Sequence, residues 1–291
     1  MATKYQRIGF HASAAGGLEN APENAHALDA ECFQFFSRSP RGGGAKPISD
    51  EQAKLFRERC DKYGFESYIH APYYTNFASK NNRIYHGTIS VLREELERGS
   101  KLGVKYLVTH LGSAREHVTD PTSIETPKSA LGQAVKGIKE IYKGNPKFAT
   151  QLLLEISAGA GSVVGDTFEE LGYLLKHVGR KDIHVCLDTC HMFASGYDIR
   201  TEDALNETMK QFRKHIGISH LKLVHMNDSK ADLAARVDRH EHLGKGKIGT
   251  KGLKAVLTHP DFQKVNFILE TKHDSLLPKD LAFLKKHRTV S

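Results

Sequence analysis

Three consecutive stretches, "QLLLEIS" (151–157), "TFEELGYLLKHVG" (167–179) and "HVCLDTCH" (184–191), decide the architecture. The first and third are short apolar runs rich in leucine or β-branched residues. The second places apolar residues at i, i+3 and i+4 and ends on a glycine, the mark of an amphipathic helix with a left-handed C-terminal stop. Strand, helix, strand within residues 151–191 is a βαβ unit, whose two strands must run parallel. Both apolar runs also close on groups that burial disfavours, Glu155 in the first and Asp188 with His191 in the third.

The same alternation extends in both directions. Strand-like runs stand at "RIGFHAS" (7–13), "CFQFFS" (32–37), "SYIHAP" (67–72), "YLVTHLGS" (106–113), "LKLVHMND" (221–228) and "FILET" (267–271). Between runs lie amphipathic stretches such as "SDEQAKLFRERCDKYG" (49–64), "ISVLREELERGSKLG" (89–103), "KSALGQAVKGIKEIY" (128–142) and "LNETMKQFRKHIG" (205–217). Eight strands alternating with helices predict an α/β protein, a single (β/α)8 TIM barrel over residues 1–291, with a doubly wound open sheet as the alternative. No repeat, linker or low-complexity tract suggests a second domain.

Composition agrees with such a chain. Of its 291 residues 39% are hydrophobic and 26% charged, which excludes disordered and collagen-like classes. The start "MATKYQRIGFHAS" lacks the apolar run of a signal peptide, and no later segment reaches the ~20 apolar residues of a membrane span. A cytoplasmic protein with no membrane partner is expected, or a nuclear one in a eukaryote. The four cysteines form neither a disulfide framework nor a zinc-knuckle spacing, and read as reduced thiols, Cys32 and Cys60 as small apolar fillers. Lys and Arg (42) exceed Asp and Glu (34), giving a net charge of +8, which favours a polyanionic partner.

In a barrel the C-terminal strand ends meet on one face, where barrel enzymes keep their chemistry. Those ends carry His70, His110, Glu155, Asp188 with His191, His225 and Glu270. Behind the seventh strand, "VDRHEHLGKGKIG" (237–249) adds Asp238 and His240, one residue apart and able to grip one ion from an extended loop. A lone histidine at a strand end is usually structural, but such residues at six strand ends are not a chance arrangement. These nine imidazole and carboxylate donors suit zinc, with manganese or iron as alternatives, and are enough for two or three ions. Closely spaced divalent ions serve phosphodiester hydrolysis. His11 and His242 read as partners of the ligands or phosphate contacts, whereas His86, His117, His177, His184, His215, His220 and His259 read as solvated or packing residues.

With these residues in place, the chain resembles the endonuclease IV family of apurinic/apyrimidinic (AP) endonucleases almost end to end. The resemblance is carried by "HASAAGGLENAP" (11–22), "LVTHLGS" (107–113), "LLLEISAGAGS" (152–162), "VCLDTCHMFASGYDIRT" (185–201), "HMNDSK" (225–230), "RVDRHEHLGKGKIG" (236–249) and "ILET" (268–271). It implies a barrel with DNA-binding loops at its C-terminal face and three zinc ions, with Mn2+ or Fe2+ as the alternative at one site. The implied reaction is cleavage of duplex DNA on the 5′ side of an abasic sugar in base excision repair, leaving a 3′-hydroxyl and a 5′-deoxyribose phosphate. His70 and His110 would hold one ion and share Glu155 with a second, Asp188, His225 and Glu270 would complete the second, and His191, Asp238 and His240 would hold the third. Glu155 and Glu270 would be the catalytic carboxylates, with Glu270 orienting the attacking hydroxide.

For DNA, the resemblance implies that Arg41, Tyr73 and Tyr74 enter the base stack. Lys230, Arg236, Arg239, Lys245 and Lys247 read as phosphate contacts, with Gly244, Gly246 and Gly249 permitting close backbone approach. The chain departs from the family where "GGGAKP" follows Arg41 in place of a common Gln and Trp, and at Ala160, where Gln is usual. Both departures bear on DNA grip. A sugar isomerase or epimerase of the related xylose-isomerase-like barrels is the competing reading, but it has no need of the Asp238, His240 pair. A DNA-binding barrel that has lost catalysis would show a broken ligand set. A monomer is the default.

Overall fold

The protein is described from a computed structural model covering residues 6–120 and 122–289. The extreme ends of the expected 1–291 domain therefore lie outside the described residues. Eight parallel strands close into a barrel: β1 (Ile8–His11), β2 (Cys32–Phe35), β3 (Glu66–His70), β4 (Tyr106–Thr109), β5 (Gln151–Glu155), β6 (Ile183–Asp188), β7 (Leu221–His225) and β10 (Asn266–Leu269). Closure is direct. β1 pairs with β2 through Gly9 and Cys32, and with β10 through Ile8 and Phe267, so neither edge of the sheet is left open. That pairing rules out the doubly wound sheet.

Helices cover the barrel: α1 (Asn20–Ala27), α2 (Asp50–Tyr63), α3 (Asn82–Leu102), α4 (Lys128–Ile141), α5 (Phe168–Val178), α6 (Thr189–Ala194), α7 (Glu202–His215), α8 (Gly249–Thr258) and α9 (Leu277–His287). Their ends follow local chemistry. Ser49, Asn81, Thr167 and Thr201 accept backbone N–H bonds at the starts of α2, α3, α5 and α7. Gly64, Gly103 and Gly179 end α2, α3 and α5 at φ of 67°, 75° and 69°, a region that penalises a Cβ. α3 starts before its amphipathic run because Asn81 caps Arg83 and Ile84.

Two apolar layers result. Inside the barrel, Cys32, Tyr68, Tyr106, Val108, Leu153, Cys186, Leu223 and Ile268 form one buried cluster. Outside it, residues such as Phe33, Phe35, Phe56 and Phe168 join strands to helices. Cys32, Cys60, Cys186 and Cys190 are free and buried, as filler thiols should be. A short antiparallel pair, β8 (Asp228–Ser229) with β9 (His240–Glu241), stands beyond β7 and sets His240 opposite Ser229. Among the described residues no helix is long and apolar enough to cross a membrane.

Candidate metal centre

His70, Glu155, Asp188 and His225 are the last residues of β3, β5, β6 and β7, while His110 and Glu270 directly follow β4 and β10. The strands thus deliver these donors to the C-terminal mouth of the barrel. Asp188 also caps α6, its Oδ1 accepting the His191 amide at 2.8 Å, so the one-turn spacing puts His191 on the side of the aspartate. Glu155, Asp188 and His225 are completely buried. His70, His110, His191, Asp238, His240 and Glu270 line an open cleft of about 760 Å³.

The donor atoms gather into groups whose members lie within 4.8 Å of one another: His70, His110 and Glu155; Glu155, Asp188, His225 and Glu270; and His191, Asp238 and His240. These are the sets that the family resemblance implies. A further grouping joins Asp188 and His240 with the Cys190 thiol, which burial pushes up to about 12 and so keeps protonated. Glu155 stands at the junction. Its Oε2 is 3.2 Å from His70 Nε2 and 3.6 Å from His110 Nε2, and its Oε1 is 3.0 Å from His225 Nδ1. His225 Nδ1 is 3.2 Å from Glu270 Oε2, and Asp238 places one oxygen 3.3 Å from His191 Nε2 and the other 3.3 Å from His240 Nε2.

These separations can be compared with a tetrahedral ion. Bonds of about 2.0–2.1 Å to nitrogen or oxygen place neighbouring ligand atoms about 3.3–3.4 Å apart. The ring orientations fit as well. His70 Nδ1 donates to the Ala71 carbonyl at 2.7 Å and His191 Nδ1 to the Ile156 carbonyl at 3.0 Å, leaving each Nε2 lone pair turned to a carboxylate. Two lone-pair atoms at such distances need a proton or a metal between them. Burial alone would raise Glu155, but His110 and His225 outweigh it and hold its carboxyl well below the usual range. Glu270 behaves likewise, burial being outweighed by His225 and by the bond to His11. The carboxylates are therefore ionised, as metal ligands must be.

The centre includes residues that sequence reasoning missed. Gln34, on β2 and fully buried, donates through Nε2 to Glu270 Oε1 at 2.7 Å and to His11 Nδ1 at 3.1 Å, and its Oε1 accepts from His225 Nε2 at 2.9 Å. Asn227 donates to Asp188 Oδ2 at 2.6 Å and accepts the Glu270 amide at 2.9 Å. Gln34 stands out in the sequence only as the one amide within "CFQFF" (32–36), and its partners Glu270 and His225 are 236 and 191 positions away.

The glycine-rich loop is built differently from the expectation. The amides of Gly244, Gly246 and Gly249 point inward to the buried Asp228 carboxylate at 3.0–3.3 Å, so they are not presented to phosphate. His242 is also turned away, bonded to Asp280 at 2.6 Å and Asp274 at 3.2 Å, and is no phosphate contact. Among the basic candidates, Arg41, Lys230, Arg239, Lys245 and Lys247 are exposed, Lys230 lying 3.7 Å from Glu241 and Lys247 3.7 Å from Asp232. Arg236 is bound to Asp166 and to the Ile124 carbonyl instead of facing outward. Tyr73, which lines the cleft, and its chain neighbour Tyr74 are 60% and 39% exposed, as an inserting side chain must be.

Residues 22–287 match the model of the xylose isomerase-like TIM barrel family. A "probable endonuclease 4" of Methanosphaerula palustris is 41% identical over 275 residues, covering 93% of each chain. The chain belongs to the endonuclease IV family. The solved endonuclease IV from Thermus thermophilus superposes with a TM-score of 0.83 at 34% identity, covering 96% of this chain and 99% of that one. A D-tagatose 3-epimerase-like protein also superposes, with a TM-score of 0.71 over 96% of this chain and 94% of that one, but at 21% identity this shows the shared barrel alone. What separates this endonuclease IV relative from that barrel must lie in its side chains and loops.

Proposed function

We propose that the protein is a single-domain, monomeric AP endonuclease of base excision repair. It would hydrolyse the phosphodiester 5′ to an abasic site in duplex DNA, leaving a 3′-hydroxyl and a 5′-deoxyribose phosphate. The observation that carries this reading is the convergence of three donor groups, the first two sharing Glu155, on one cleft flanked by exposed Tyr73. His70 and His110 with Glu155, then Asp188, His225 and Glu270 with Glu155, then His191, Asp238 and His240 would each hold one ion. Zinc suits this set of imidazoles and carboxylates, with Mn2+ or Fe2+ as the alternative at one site. Such ions, when bound, neutralise charge on phosphoryl oxygens and lower the pKa of water.

The chain's own groups position and orient. Glu270, steadied by Gln34 and by the Asn227 bond to its amide, offers carboxylate oxygens at the cleft to accept a hydrogen bond from the attacking water and orient it. Glu155 sets the spacing between the first two groups. Tyr73, with Phe36 5.4 Å and His70 5.6 Å behind its ring, is braced at its base to fill a gap in the base stack, and Tyr74 and Arg41, next in the chain to the cleft residues Tyr73 and Pro40, would assist it. Lys230, Arg239, Lys245 and Lys247 would meet phosphates, which gives the +8 net charge its partner. A chromosomal substrate places the enzyme at the nucleoid, or in the nucleus of a eukaryote.

The test is incision of a labelled duplex bearing one AP-site analogue, with and without a strong chelator, on protein whose metal content is assayed in parallel. Cleavage 5′ to the lesion that chelation abolishes supports the reading. No cleavage by metal-loaded protein would overturn it and direct the next assay to aldoses and ketoses.

A further inference from the structure

We infer that Arg236 and Asp166 form a clasp that positions the ligands of the third donor group, so that Arg236 acts on metal retention and not on DNA phosphate. The inference rests on the metal reading proposed above. Asp238, two residues beyond Arg236, has a half-exposed side chain whose carboxylate meets His191 and His240. Its placement therefore depends on how the backbone is pinned on either side.

On the C-terminal side the pinning is regular. Arg239 O accepts the Lys230 amide at 2.9 Å, and His240 pairs with Ser229. On the N-terminal side no strand is available. There the Ala234 amide donates to Phe193 O at 3.0 Å and the Arg236 amide to Ala194 O at 2.9 Å, docking the loop on the last turn of α6. Since α6 carries His191, both halves of the third group are tied together at this seam.

Reaching that seam costs backbone energy. Ala234 and Arg236 take φ of 60° and 54°, a left-handed conformation that residues with a Cβ rarely adopt without compensation. The compensation is visible at Arg236. Its Nη2 donates both to Asp166 Oδ2 and, at 3.2 Å, to Ile124 O, so one guanidinium joins the loop to two neighbouring loops of the barrel mouth. Asp166 is 3% exposed, and a buried carboxylate needs such a partner. Gly159 leaves room for the pair: a Cβ there would lie 3.0 Å from Arg236 Cζ and 3.1 Å from Asp166 Oδ2. The guanidinium is thus held on Asp166 through Nη2, with its side chain 23% exposed.

The experiment compares full-length zinc-loaded wild type with Arg236→Ala, Asp166→Asn and the double variant. Zinc stoichiometry under graded chelator, the salt dependence of AP-duplex binding and thermal unfolding are read for each. The clasp predicts that one ion per chain is lost at about 10–100-fold lower chelator strength, the range for residues that orient metal ligands, with the other ions retained. The double variant should match the single ones, because both break the same pair. The slope of log K against log salt stays at the wild-type value. Retention of every ion together with a slope reduced by about one would overturn the clasp and make Arg236 a phosphate contact. Loss of all ions with loss of cooperative unfolding would overturn it in favour of a general structural role. Wild type that binds no zinc would instead overturn the metal reading.

Discussion

Gln34 Oε1 lies 2.9 Å from His225 Nε2, joining residues that are 191 positions apart in the chain and on strands β2 and β7. The contact fixes which imidazole nitrogen faces the carboxylates. With Nε2–H given to Gln34, Nδ1 is the nitrogen turned to Glu155 Oε1 and Glu270 Oε2. The same amide donates to Glu270 Oε1, so one side chain orients two members of the second donor group. Gln34→Leu keeps the volume and removes both bonds. The expected result is about 10–100-fold weaker metal retention, measured by chelator competition, with a barrel unchanged by circular dichroism. Native metal affinity in this variant would show that Gln34 is only packing.

Glu270→Gln addresses the chemistry. Glutamine preserves the shape and a hydrogen-bonding oxygen but removes the negative charge and the second acceptor that orient the water. Binding to AP-site duplex should stay within a few-fold of wild type while incision falls by at least about 100-fold, the two being read by gel shift and denaturing gel on the same preparation. Wild-type turnover would remove Glu270 from its proposed role.

The fold was legible because period and length agree: an apolar run such as 151–157 is too short for a helix, and 167–179 has helical spacing. The strands are shorter than the apolar runs, β1 covering Ile8–His11 of 7–13. α6 gave no periodic signal because Thr189 to Ala194 are all buried, leaving no polar face. The donor set was legible from the rule that barrel strand ends converge. Gln34 and Asn227 act across strands, which local spacing cannot reveal. The loop at 244–249 misled for a related reason: its glycines signal close approach, but the group approached is Asp228, sixteen or more residues earlier in the chain.

Tyr73 separates lesion recognition from catalysis. It is 60% exposed, and its ring rests on Phe36 and His70 without being a metal donor. Tyr73→Ala should weaken AP-duplex binding about tenfold, since a base–aromatic stack is worth about 1–3 kcal/mol. Arg41→Ala should act in the same direction. Metal content should remain at the wild-type value in both, and a loss of metal on assay would show that these side chains support the centre itself.

Asp228 is expected to matter for stability more than for ligation. Its carboxylate accepts from the amides of Gly244, Gly246, Ile248 and Gly249, and a Cβ at Gly246 would come within 2.3 Å of Ser229 O. Charge-assisted bonds to a buried carboxylate are worth about 1.5–3 kcal/mol each. Asp228→Asn, which turns one acceptor into a donor facing those amides, should lower Tm by about 5–10 °C. Gly246→Ala should lower it as well, because the obstructing atom is backbone and cannot move aside. Calorimetry of either variant at the wild-type Tm would expose a loop that tolerates rearrangement.

The last prediction concerns pH. Burial pushes Glu170, in the first turn of α5, up to about 7, although its Oε2 accepts the Gly165 amide at 2.7 Å. A carboxyl raised in this way binds its proton more tightly folded than unfolded. Between the unfolded value near 4.5 and the folded value near 7, the native chain therefore holds the extra proton, and stability falls as pH rises through that window. The limiting slope is about 1.4 kcal/mol per pH unit. Solvent at this partly exposed side chain and the lost charge at the α5 N-terminus, worth about 0.5 kcal/mol, reduce the net gain from Glu170→Gln to about 1 kcal/mol. The variant should thus melt about 2–4 °C above wild type at pH 8 and level with it or below at pH 4.5. Parallel Tm curves across that range would mean that Glu170 ionises in the folded protein as it does in the unfolded chain.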